Sequence, residues 1–94
     1  MRIVVVGLSR VGYNISKALS EEGHDVIIID KDPEILKVVA ADLDVMTVSG
    51  NGASARTLEA VDIKTVDIIL AVTEHDELNM IACMTAKQSG GPMT

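Results

Sequence analysis

The stretch Gly7-Leu8-Ser9-Arg10-Val11-Gly12 and the single acid Asp30 are the residues of this chain whose types and spacing suit the binding of a ligand. Gly7 follows directly on an apolar run and permits a tight turn. Gly12, five residues on, lets whatever comes next pack closely against that run. If a helix starts here, its first backbone N–H groups have no partners of their own. Together with the positive end of the helix dipole they favour a phosphate or pyrophosphate. Asp30 lies 18 residues past Gly12, at the end of a second apolar run. A carboxylate there accepts hydrogen bonds from adenosine ribose hydroxyls and repels a 2′-phosphate, which favours NAD(H) over its phosphorylated form. Lys31, next to the acid, softens that preference.

The glycine pattern matches a dinucleotide fingerprint at its first and third glycines and departs from it at the second, where Ser9 stands. Ser9 either crowds the pyrophosphate or donates a hydrogen bond to it. Arg10 can add a charge-assisted contact. Leu8 and Val11 complete the loop. Two further turns are expected to reach the same end of the molecule: Gly50-Asn51-Gly52, read as residues that tolerate positive φ, and Thr73. Asn51 then meets the adenine or its ribose and Thr73 the phosphates, or both serve only as turn and cap residues. His75, Glu77 and Asn79 lie just beyond and read equally as ligand contacts or as a solvated helix start. His24 reads as structural, and Cys83 as a buried structural thiol.

These residues need elements to position them. Arg2 to Val6 is a β-branched run of the kind buried on both faces of a parallel sheet (β1), and Asp25 to Asp30 repeats it (β2). Between them Val11, Ile15, Ala18 and Leu19 fall at helical spacing, up to a stop at Gly23 (α1). Asp32-Pro33 is an N-cap with proline at the first helical position, opening α2 with Ile35, Leu36, Val38, Val39 and Leu43 on its apolar side. Val45 to Ser49 is a third strand (β3), Ser54 to Ala60 a short helix (α3), and Val66 to Val72 a fourth strand (β4). Thr73 to Asp76 then caps a last helix (α4), in which Leu78, Ile81, Ala82, Thr85 and Ala86 share a face, and Ser89-Gly90-Gly91-Pro92 ends it. Strands alternating with helices specify an α/β fold: a Rossmann-type parallel sheet in the order 3-2-1-4, with helices on both faces and right-handed crossovers.

Composition narrows the classes further. Residues 1–94 read as one domain, with 48% apolar residues and no Phe or Trp, so the core is aliphatic. A net charge of −6 without a Lys/Arg cluster argues against nucleic acid. The apolar runs are too short to cross a bilayer and no signal peptide precedes them, so an intracellular location is expected. The chain stops where another strand is expected. This reads as a C-terminal truncation that leaves β4 as an exposed edge.

With these positions placed, the chain resembles the N-terminal KTN/RCK (TrkA-N) domain of the Trk-type potassium-uptake regulators. The residues carrying the likeness are Arg2 to Gly7, Ser9 to Gly12, Glu22 to Val26, Ile29 to Pro33, Gly50 to Gly52, Thr73, and Asp76, Glu77 and Asn79. The family commonly has Gly at Ser9 and Asp at Asn51. The resemblance implies a cytoplasmic regulatory domain that binds NAD(H), or in some members ATP and ADP. It also implies a membrane-embedded potassium channel or transporter subunit as partner, assembly as a dimer or larger ring, and two more strands that carry much of the dimer contact. By position it assigns Gly7, Ser9, Arg10 and Gly12 to the phosphate loop, Asp30 to the ribose, and Asn51 and Thr73 to outer contacts. The residues themselves offer no general base with an orienting partner, no metal cluster and no nucleophile elbow, so a sensor is expected. Two other readings stay open: the cofactor-binding fragment of an NAD-dependent oxidoreductase, and a bare assembly domain without a ligand.

Overall fold

A computed structural model describes residues 1–73 and 75–88. The elements run β1 (Arg2–Val6), α1 (Arg10–Glu21), β2 (Asp25–Asp30), α2 (Pro33–Asp42), β3 (Met46–Ser49), α3 (Ala55–Ala60), a 3₁₀ turn (Ile63–Thr65), β4 (Ile68–Ala71) and α4 (Asp76–Gln88). All strand pairs are parallel, and the order is β3-β2-β1-β4, as the alternation of elements predicts.

Alternate residues of the central strands feed two separate cores. Val4, Val6, Ile27, Ile29 and Ile69 meet Leu58, Val61, Ile63, Val66 and Ala86, so α3, the 3₁₀ turn and α4 cover one face. Ile3, Val5, Val26 and Ile28 meet Leu36 and Val39, with Tyr13 and Leu19 packed alongside, so α1 and α2 cover the other. This two-sided burial is why β1 and β2 read as unbroken apolar runs.

The helix ends are specified locally. Asp32 Oδ1 accepts from Glu34 N–H at 3.0 Å, with Pro33 at the first position of α2. After α1, Gly23 N–H donates to Ser20 C=O and His24 N–H to Leu19 C=O, both at 3.1 Å. This is a Schellman stop, with Gly23 at φ +87°. His24 is tied in place, its Nδ1 lying 3.3 Å from the Met1 amino group, which supports the structural reading.

The structure departs from the sequence reading in several places. β3 begins at Met46 rather than Val45, and β4 spans Ile68–Ala71 rather than Val66 to Val72. The 3₁₀ turn takes up the residues before β4, and Val66 N–H closes it on Ile63 C=O. Helix faces are rotated from the expected stripes. α1 buries Gly12 and Ser16 and leaves Val11 56% exposed, because its start presses so close to β1 that only small residues fit there. On α2 Val38 and on α4 Ile81 face outward. Cys83 is half-buried, since it lies beside the Ala82–Ala86 face of α4 and not on it. None of Gly50, Asn51 and Gly52 has positive φ. The two glycines are needed for space instead, since a Cβ on Gly52 would stand 2.3 Å from Val6 Cγ1 and one on Gly50 2.9 Å from Thr57 Oγ1. The expected stop at Ser89-Gly90-Gly91-Pro92 lies outside the described residues.

Leu58 is fully buried and is the main contribution of α3 to its core. Leu58→Ala is expected to lower unfolding stability by about 2–5 kcal/mol in urea titrations. Val38→Ala, at an exposed site, is expected to change it by no more than about 0.5 kcal/mol.

Candidate functional site

The carboxyl ends of the strands open into a cavity of about 260 Å³. Its floor is the end of β1 and β2, namely Val6, Gly7 and Ile29. Leu8 and Ser9 supply one wall, Asp30 and Lys31 a second, Gly50 and Gly52 a third, and Thr73, His75 and Leu78 the last. Nine residues singled out from sequence therefore meet in one place: Gly7, Leu8, Ser9, Asp30, Lys31, Gly50, Gly52, Thr73 and His75. Four residues of the predicted loop and turns do not line it. Arg10 and Val11 point outward on the first turn of α1, Gly12 is buried beneath that turn, and the exposed Asn51 turns its Oδ1 to the N–H of Ala53 at 2.9 Å.

Glycine is required in the turn for reasons that can be measured. Gly7 has φ +102°, and a Cβ on it would lie 2.7 Å from Thr73 Cγ2. A Cβ on Gly12 would lie 2.1 Å from the carbonyl oxygen of Gly7, so the first turn of α1 rests directly on the end of β1. The backbone at Ser9 is extended (φ −74°, ψ 177°), and its side chain turns toward α1 and the end of β4. Ser9 Oγ caps α1 by accepting from Gly12 N–H at 3.3 Å and donates to Val72 C=O at 3.0 Å.

Asp30 is part-buried at the end of β2, and its carboxylate faces the turn. Oδ2 accepts from Leu8 N–H and Oδ1 from Asp32 N–H, both at 2.9 Å. An ionised carboxylate has about four acceptor positions, so these two bonds leave capacity for hydroxyl donors from the cavity. Across the mouth, Asn79 holds Thr73. Its Oδ1 accepts from both the N–H (2.9 Å) and the hydroxyl of Thr73, and its Nδ2 donates to Thr73 C=O at 3.1 Å. Thr73 Oγ1 also accepts from His75 N–H at 3.1 Å. Asn79 thus acts from behind the wall and not as a lining residue.

Val6, Ile29 and Leu78 line the cavity and were not singled out from sequence. Val6 and Ile29 were recoverable, since each is the last apolar residue before a ligand-facing turn. Leu78 carried no separate signal, because its spacing is also that of a core residue on α4.

A four-stranded parallel sheet in this order, with a glycine turn and a strand-end acid meeting at its carboxyl edge, defines a Rossmann-type α/β domain. Comparison with known proteins places it more narrowly: residues 3–93 match the TrkA-N domain, and the chain belongs to that family. It is 51% identical over 87 residues to Trk system potassium uptake protein trkA homolog 1 of Methanosarcina mazei, covering 93% of this chain and 21% of that protein. With the Trk system potassium uptake protein TrkA of Azorhizobium caulinodans it shares 39% over 83 residues, covering 88% of this chain and 18% of the relative. The chain thus spans about a fifth of the length of such relatives. Among solved structures, Shewanella denitrificans Kef CTD in AMP bound form superimposes with a TM-score of 0.80 at 19% identity, covering 94% of this chain and 52% of that one. SirC, precorrin-2 dehydrogenase, superimposes with a TM-score of 0.58 at 16% identity, covering 87% of this chain and 39% of that one. At these identities the two structures establish the fold alone.

Gly12 and Gly23 differ in what a methyl group would meet. Gly12→Ala forces apart α1 and the Gly7 carbonyl and is expected to cost about 3 kcal/mol or more of stability in urea unfolding, at or beyond the upper end of overpacking effects. Gly23→Ala meets nothing within 4 Å and suffers only from its positive φ, with an expected loss of about 1 kcal/mol.

Proposed function

We propose that this domain binds an adenine nucleotide, NAD(H) in the first instance, and through it regulates a membrane-embedded potassium channel or transporter without catalysing a reaction. The observation that carries the reading is the convergence of the Gly7–Gly12 turn and Asp30 on one cavity, joined by the 2.9 Å bond from Leu8 N–H to the carboxylate. In this reading the phosphates lie against the first N–H groups of α1. The ribose hydroxyls take the remaining acceptor positions of Asp30, and the adenosine end rests between Lys31 and the Gly50–Gly52 turn. Gly7, Leu8, Ser9, Asp30, Lys31, Gly50, Gly52 and Thr73 make the contacts. Arg10, Val11, Gly12 and Asn51 act at the margin or from beneath.

The names of the relatives support the potassium-uptake role. The domain then sits on the cytoplasmic side, peripheral to the membrane through its partner, and assembles with copies of itself as a dimer or larger ring. The outward-facing Met80, Ile81 and Met84 of α4 supply an apolar surface suited to such contacts. Regulation follows if the two states of the assembly bind the nucleotide with different affinity, since a ligand shifts an equilibrium only by that difference. A mononucleotide occupant, ATP or ADP in place of NAD(H), is the second reading. It is favoured by the AMP carried by the similarly folded Kef CTD.

Calorimetric titration with NADH, NAD, ATP and ADP tests both readings and ranks the ligands. Saturable binding of at least one is expected, and a well-folded sample that binds none overturns the proposal. Asp30→Ala is expected to weaken NADH binding at least about tenfold, the value of a hydrogen bond to a charged group. Because Asp30 also holds Leu8 and Asp32, Tm is measured on the same sample. Rapid hydride transfer from NADH to a small substrate would instead assign the domain to an oxidoreductase.

A further inference from the structure

We propose that the Ser9 hydroxyl is a built-in competitor for the phosphate end of the nucleotide, so that this one side chain sets how tightly the cavity holds any phosphate-bearing ligand. The inference rests on the nucleotide reading above and concerns a residue that lines the same cavity.

The backbone at Ser9 is extended, a conformation open to every residue, so serine sits there without strain and glycine is not needed for the turn to form. Its hydroxyl is committed in both senses. The lone proton goes to Val72 C=O at 3.0 Å, and a lone pair accepts from Gly12 N–H at 3.3 Å. While the first bond stands, Ser9 has no proton to offer a phosphate. The second occupies an N–H in the first turn of α1, one of the donors that an anion at a helix start draws on. A phosphate that draws on the full first turn of α1 must therefore take Gly12 N–H from Ser9. At 3.3 Å this bond lies beyond the usual 2.7–3.2 Å range and is the weaker of the two, so it is the one that yields.

The thermodynamic consequence has an unusual sign. Removing the hydroxyl costs both states the bond to Val72 C=O, which cancels, and costs the unliganded domain its cap as well, so the liganded one is destabilised less. Affinity therefore rises by the strength of the bond that no longer has to be broken. Deletion of a side chain that is merely structural does not tighten binding.

The test is titration of ADP and NADH into the wild-type protein, Ser9→Ala and Ser9→Gly, with Tm measured on each. Ser9→Ala is the deciding variant, since it keeps the loop's backbone restriction. It is expected to lower Tm and tighten both ligands about five- to tenfold, the scale of one net hydrogen bond. Ser9→Gly is expected to tighten them less, because glycine adds freedom to the empty loop. Unchanged or weaker binding in a folded Ser9→Ala protein overturns the inference while leaving the nucleotide reading intact. If Ser9→Ala does not fold, the Gly12 amide proton of the wild-type protein decides by NMR: a downfield move on saturation with ADP supports the exchange of partners, and a stationary resonance overturns it. Absence of binding even to wild type ends the nucleotide reading, and this inference with it.

Discussion

The contact between the start of α1 and the end of β1 constrains everything around it. With only 2.1 Å available to a Cβ at Gly12 before it meets the Gly7 carbonyl, the helix rests on the strand with no side chain between them. Gly7 can turn that sharply because it takes φ +102°, and Thr73 closes over it from the other side. The consequence is directional. The first N–H groups of α1 are brought to the carboxyl edge of the sheet beside the cavity, and the buried face of the helix falls on Gly12 and Ser16, whose Oγ is enclosed without a hydrogen-bond partner among the described residues. Close approach is thus obtained at the expense of apolar burial along α1, and the larger aliphatic contacts of that layer come from Leu36 and Val39 of α2.

Asp30 extends the same constraint to the second strand. By accepting from Leu8 and Asp32 it joins the glycine turn to the start of α2, so its carboxylate is held in place before any ligand arrives. Such preorganisation matters for binding because the ordering cost of the acid has already been met in folding. It also explains why a charged group can sit half-buried between strand ends, since its oxygens are met by backbone donors.

How much of this was legible in the sequence differs by element. β1 and β2 were read to the residue, since an unbroken run of Ile and Val admits only a strand buried on both faces, and the caps at Asp32-Pro33 and Gly23 depend on local chemistry alone. The helix faces were not read well. Apolar spacing placed Val11, Val38 and Ile81 inward, whereas the faces actually buried are set by how closely each helix approaches the sheet, which periodicity does not encode. The same holds for the Gly50–Gly52 turn: the residues were recognised, but the reason for them is the proximity of Val6 and Thr57, a tertiary fact. Of the candidate site, the strand-end residues were recoverable from the rule that ligands meet the carboxyl edge. The inward turn of Ser9 was not, because it depends on where β4 brings the Val72 carbonyl.

The cavity's place between the two layers bears on the regulatory role proposed for the domain. Leu8 and Ser9 belong to the approach of α1 on one face of the sheet, while His75 and Leu78 belong to the start of α4 on the other. The cavity is lined from both. On the α4 side the wall is held by Asn79, which grips Thr73 through its N–H, its carbonyl and its hydroxyl and so ties it to the first turn of α4. α4 is also the helix that turns Met80, Ile81 and Met84 outward. The cavity wall and this apolar surface thus lie on one helix, the arrangement that the proposed coupling of ligand to neighbours requires.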